Sequence, residues 1–95
     1  MPFPQQTPRS FTREDVLSLN PNQIGIYGLF KANTWVYIGS GDIRTRLLAH
    51  INGDNACVTR EKATHWVSEV VQGDPVPREK QLIAECNPVC NLRLG

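Results

Sequence analysis

A chain of 95 residues, 40% hydrophobic and 20% charged, has the balance of a globular protein and room for one domain. Its formal net charge of +1 excludes a surface of overwhelming basicity, so any nucleic-acid contact must rest on a local basic patch and weaken as salt rises. No apolar run is long enough to span a bilayer, and Met1 to Pro8 lacks the apolar stretch of a signal peptide, which points to a cytoplasmic protein with no membrane partner. The cysteines Cys57, Cys86 and Cys90 are odd in number, which argues against a closed disulfide framework and fits a reducing compartment.

Residues 1–9 are rich in proline and glutamine and are expected to form a flexible arm ahead of a single domain over 10–95. Thr12-Arg13-Glu14-Asp15 has the signature of a helix start, with Thr12 as cap and two acids near the positive end of the helix dipole. Val16, Leu17 and Leu19 supply its apolar side, and Asn20-Pro21 stops it.

The stretch from Gly25 to Gly39 reads as two strands with a turn between them. Ile26, Tyr27 and Phe30 favour the first strand, and Trp35 to Ile38 favour the second. Lys31 to Thr34 is the polar break, with Asn33 the residue best suited to a left-handed turn. A three-residue loop, Lys31 to Asn33, would set Tyr27 directly across from Tyr37, both phenols on one face. Such a pair is either half-buried packing or part of a site.

Ser40-Gly41-Asp42 is the next turn, and Asp42 caps a helix from about Ile43 to Ile51. Ile43, Leu47 and Ile51 form its buried stripe, and Arg46 and His50 share one shoulder of that stripe. Arg46 is then either a snorkelling arginine beside a structurally bonded histidine or a cation held for an acceptor. A loop from Asn52 to about Lys62 follows, in which Arg60 and Lys62 are candidate phosphate contacts or ordinary surface charges around Glu61. His65 to Val71 reads as a third strand, needed to stabilise the hairpin. Pro75-Val76-Pro77 opens the last helix, where Glu79 falls in line with Leu82, Ile83 and Cys86. That carboxylate is either a first-turn acid favoured by the dipole or a metal ligand facing a cleft.

Gly25-Ile26-Tyr27 and Tyr37-Ile38-Gly39 resemble the two tripeptides that name the GIY-YIG nuclease superfamily. The later signature positions follow in order: an arginine on the next helix (Arg46), a histidine or tyrosine one turn on (His50), a glutamate on a later helix (Glu79) and a terminal asparagine (Asn91). The ending Glu79, Leu82-Ile83, Pro88 and Asn91 is similar to the family's Glu-x-x-Leu-Ile…Pro-x-x-Asn. The turn from Gly39 to Arg46 is one residue shorter than in many members. Ser40 takes the place of a lysine that some carry, with Arg44 as its substitute.

The resemblance implies a mixed α/β fold, a small three-stranded antiparallel sheet flanked by helices. It implies a metal-dependent endonuclease hydrolysing phosphodiester bonds in DNA, with Glu79 holding Mg2+ or Mn2+. Tyr27 would activate the attacking water and Arg46 would meet the developing phosphorane charge, with Tyr37 and His50 hydrogen-bonding around them. Gly25, Gly39, Ser40 and Asn91 would support the site, and Arg44, Arg60 and Lys62 would touch nucleic acid. A second copy or a protein partner would supply specificity. Two other readings stand beside it: a non-cutting nucleic-acid-binding module of the same fold, and a small zinc-stabilised interaction domain using Cys57, His65, Cys86 and Cys90.

Overall fold

A computed structural model describes residues 2–91. The elements in chain order are β1 (Arg9–Ser10), α1 (Arg13–Leu17), β2 (Ile24–Lys31), β3 (Thr34–Asp42), α2 (Ile43–Ile51), α3 (Ala56–Glu61), β4 (His65–Val70) and α4 (Val76–Cys86). The strands form one antiparallel sheet in the order β1-β4-β2-β3, so the expected three strands are joined by a fourth, the short β1. Its Arg9 pairs with Trp66 and its Ser10 with His65. Two residues carry too little periodicity to read as a strand from sequence.

Helices cover both faces of the sheet. On one, Val16 of α1, Ile43 and Leu47 of α2 and Val58 of α3 bury Tyr27, Leu29, Val36 and Trp66. On the other, Leu82 of α4 and Phe3 close over Ile26, Ile38 and Val67. The helix starts follow their caps: Thr12 accepts from the Asp15 N–H at 3.2 Å, and Asp42 accepts from the Thr45 N–H at 3.2 Å.

The β2–β3 register departs from the expected three-residue loop. Lys31 pairs with Thr34, leaving a two-residue turn in which Ala32, at φ 48°, takes the left-handed conformation expected of Asn33. Phe30 then pairs with Trp35 but Leu29 with Tyr37, so Val36 is an extra residue in β3. Tyr27 therefore opposes Gly39 rather than Tyr37. Without the bulge every residue beyond it would turn to the opposite face, and Tyr37 would point away from Tyr27. The bulge is what puts both phenols on one side, their ring centres 6.2 Å apart.

On the edge strand β3, and on β4 beyond the end of the short β1, a side-chain carboxamide pairs with the backbone as a neighbouring strand would. Asn91 accepts from the Ile38 N–H at 2.7 Å and donates to the Ile38 carbonyl at 2.9 Å. Gln6 accepts from the Ser68 N–H at 3.0 Å and donates to the Ser68 carbonyl at 2.8 Å. The N-terminal stretch expected to be a loose arm is thus docked on β4, and Phe3 is buried against Trp35 with ring centres 5.5 Å apart. An aromatic ring and a paired amide offset the entropy of ordering these residues, which proline content alone does not reveal.

Two further differences lie between Asn52 and Asn91. The expected loop contains α3, capped by Asn55, which accepts from the Cys57 and Val58 N–H groups at 3.0 and 3.2 Å. Cys57 and Cys90 form a disulfide, with Cα atoms 5.7 Å apart, and Cys86 is left as the free thiol. The odd cysteine count is met by one bridge and one thiol, which removes the ground for inferring a reducing compartment. It also separates the four residues of the zinc reading: Cys86 packs on the sheet face opposite the Cys90 cluster, and no described residues group three His, Cys, Asp or Glu side chains around a metal position.

Candidate active site

Tyr27 is 1% exposed and His50 3%, in the middle of the face covered by α2. A phenol and an imidazole so placed need partners, and they find each other: Tyr27 Oη lies 2.7 Å from His50 Nε2. Tyr37 completes the cluster, its ring centre 5.1 Å from that of His50 in an edge-on arrangement. Glycines make the approach possible. A Cβ at Gly39 would collide with Tyr27 Oη, and one at Gly25 with the Glu69 carbonyl across the sheet.

Arg46 and His50, one turn apart on α2, converge on a residue of the loop beyond the helix. Arg46 Nη2 is 3.4 Å from Asp54 Oδ2, and His50 Nδ1 is 3.0 Å from Asp54 Oδ1. The second contact falls outside hydrogen-bonding alignment.

Burial, reinforced by Tyr37, pushes the Tyr27 phenol well above its ordinary value, with the Arg46 guanidinium working the other way. Tyr37 is raised by burial and then by the Glu79 carboxylate. Burial lowers His50, and Arg46 adds to that, against the pull of Asp54. The imidazole is therefore neutral at neutral pH, with one nitrogen available as a proton acceptor.

Glu79 comes from the other side of the sheet. It sits in the first turn of α4, half-buried, and its Oε1 accepts from Ser40 Oγ at 2.9 Å. Ser40 opposes Ile26 and faces α4, whereas Tyr27, Tyr37 and His50 lie on the α2 side. The two halves meet around β3, the edge strand, at the segment where Gly39 and Gly41 bring no side chain between them. Among the described residues no lysine, arginine or histidine pairs with Glu79. A single carboxylate with oxygen neighbours fits a hard cation that keeps most of its waters, and not a closed nitrogen–sulfur site.

The cluster thus brings together Tyr27, Tyr37, Arg46 and His50, with Glu79 and Ser40 across the edge and Asn91 bonded to Ile38 beneath. The candidate nucleic-acid contacts are not gathered with them. Arg60 engages Cys57 and Glu61 of its own helix. Lys62 is the left-handed cap of α3 and lines a cavity of about 190 Å³ with His50 and Phe11 on its wall. Arg44 has a buried Nε with no hydrogen-bond partner among the described residues. Sequence reasoning missed Asp54. It lies four residues after His50, a spacing that brings side chains together, but Gly53 between them marks the end of the helix and hides the signal.

No family model matches the chain, and no curated protein does. The fold is similar to crystal structures of the GIY-YIG N-terminal endonuclease domain of UvrC from Thermotoga maritima. A tyrosine-to-phenylalanine variant of that domain bound to its catalytic divalent cation is 28% identical, with a TM-score of 0.73 over 85% of this chain and 94% of that one. The magnesium-bound domain is 27% identical, with a TM-score of 0.69 over 80% and 90%. An asparagine-to-alanine variant, also with its cation, is 27% identical, with a TM-score of 0.70 over 80% and 89%.

Proposed function

The chain has the GIY-YIG superfamily fold, and we propose that it is a metal-dependent endonuclease that hydrolyses phosphodiester bonds in DNA. One observation carries the proposal: Tyr27, His50 and Arg46 form a contiguous polar cluster on one side of an edge strand, and Glu79 lies on the other, bonded to Ser40 and with no basic side chain paired to it among the described residues. Buried polar groups that served packing alone would be replaced by apolar residues at little cost.

Glu79, held in place by Ser40, would anchor one divalent ion, most simply magnesium. The ion would polarise the scissile phosphate and stabilise the leaving 3′ oxygen. Arg46, half-buried and paired with Asp54 at the surface, would turn to the phosphate and carry the charge of the transition state. Tyr27 would take the proton of the attacking water. Its phenol is far too weak an acid to wait as the phenolate, so its own proton must leave in the same step. Asn91 would keep the β3 edge in register beneath the site.

Cleavage of labelled single-stranded, duplex and forked DNA, with magnesium and with chelator, tests the proposal. Magnesium-dependent cutting that Glu79→Ala reduces by about 10³-fold or more is the expected result. Retained binding with no cutting of any substrate would favour the non-cutting module, and full cutting by the variant would remove Glu79 from the metal site.

A further inference from the structure

We propose that Asp54 is a positioning residue: its contact with His50 Nδ1 fixes the imidazole as the acceptor of the Tyr27 proton, an inference that rests on the nuclease function proposed above. Tyr27 Oη, His50 and Asp54 lie in a row, with a hydrogen bond of 2.7 Å between Tyr27 Oη and His50 Nε2 and a close but misaligned contact of 3.0 Å between His50 Nδ1 and Asp54 Oδ1. A neutral imidazole carries its proton on one nitrogen only. A carboxylate is acceptor-only, so Nδ1 beside Asp54 keeps the proton and Nε2 offers its lone pair to the phenol. Without the carboxylate the other tautomer is open, in which Nε2–H donates to Tyr27. A phenol receiving that bond has no place to send its proton.

Asp54 is divided between two partners. Its Oδ2 is 3.4 Å from Arg46 while its Oδ1 meets His50 out of alignment. Arg46 is also the group a substrate phosphate would claim. When it turns to the phosphate, the carboxylate, on a loop with a 37% exposed side chain, is free to swing into line with Nδ1–H. Substrate binding and the setting of the tautomer are then one event. Among the described residues, the charged and titratable groups around His50 are Arg46 and Asp54 from α2 and its loop, Tyr27 from β2, Tyr37 from β3 and, across a shared cavity, Lys62 at the end of α3. Only Asp54 among them stabilises an imidazolium.

In the step itself the water oxygen forms the new bond to phosphorus while one water proton passes to Tyr27 Oη. The Tyr27 proton passes to His50 Nε2. The bond from phosphorus to the 3′ oxygen breaks with its electron pair, and that oxygen is protonated by solvent. The imidazolium beside Asp54 returns its proton to solvent afterwards.

The test uses Asp54→Asn in the full chain, because the amide keeps the shape but can donate to Nδ1, which the carboxylate cannot. With only two histidines in the chain, nitrogen-15 shifts report His50 directly and His65 serves as the internal control. Wild type is expected to show the Nδ1–H tautomer. The variant is expected to shift toward Nε2–H and to titrate His50 at lower pH, with His65 unmoved. In cleavage assays kcat should fall by about 10²-fold without a rise in KM, the acid limb of the pH profile should move down, and Asp54→Glu should recover part of the rate. Adding Asp54→Asn to His50→Tyr should change nothing further. An unchanged tautomer and titration in Asp54→Asn would overturn the proposal, as would unchanged kcat in a wild type that cuts. A wild type that cuts nothing would count against the nuclease function itself, and the tautomer would then decide the role of Asp54 alone.

Discussion

On the α4 face of the sheet, Phe3, Ile26, Ile38, Val67 and Leu82 bury only hydrocarbon and aromatic ring. On the α2 face, Tyr27 and His50 are buried as deeply but carry polar atoms into a shell of Val16, Leu29 and Leu47. The apolar face needs only to be filled, and its contribution is to stability. The mixed face has to satisfy each polar atom as well, and it does so by fixing Tyr27 against His50 at one geometry. The strand between them serves both: its bulge at Val36 sets Tyr37 on the mixed face, and Ser40 beyond it reaches Glu79 on the other. The buried core of the α4 face thus serves stability and the mixed face the proposed proton transfer, while Glu79 stands on the α4 side beyond that core and is linked to β3 through Ser40.

Substitutions that separate rate from stability sharpen that contrast. Arg46→Ala should lower kcat by about 10² to 10³, the usual loss when one preorganised charge donor is removed, and leave the melting temperature almost unchanged because the Asp54 pair is a surface one. Leu82→Ala on the opposite face should do the reverse. It removes a fully buried side chain and should cost about 3 kcal/mol in denaturant unfolding, with cleavage per folded molecule intact. If Arg46→Ala unfolds the chain or Leu82→Ala abolishes turnover of the folded fraction, the division of labour fails.

The smallest effect is in pH. His50 is harder to protonate in the fold than in the unfolded chain, where its value is the ordinary 6.5. The unfolded state then binds more protons, so this contribution to stability is complete above about pH 6.5 and is lost as pH falls below it. Urea unfolding from about pH 8 down to about pH 5, across the ordinary histidine value of about 6.5, should show that decline. Replacing His50 with glutamine should flatten it.

Much of this arrangement was legible in the sequence. The α2 helix begins at its Asp42 cap and ends at Ile51, as the stripe of Ile43, Leu47 and Ile51 requires. Glu79 lies where the spacing to Leu82 put it, in the first turn of α4. The shared face of Tyr27 and Tyr37 was also anticipated, but from a register that the chain does not use. A two-residue turn plus a one-residue bulge restores the side that a three-residue loop would have given. Bulges have no strong residue signature, so only the pairing itself reveals this one. The features that escaped are short or held from a distance. Helix α3 spans only Ala56 to Glu61 and owes its place to Asn55 and to the bridge from Cys57 to Cys90. The docking of Gln6 on Ser68 spans sixty-two positions, and Asp54 acts through space from beyond a helix end.

The most direct measurement is the cleavage rate and the unfolding free energy of Tyr27→Phe, taken on the same preparation as wild type. The substitution removes one oxygen from a buried hydrogen bond and should cost about 1 kcal/mol of stability. If Tyr27 accepts the proton of the attacking water, magnesium-dependent cleavage should fall by at least about 10²-fold in that folded protein. A variant that folds and cuts at the wild-type rate would contradict the account.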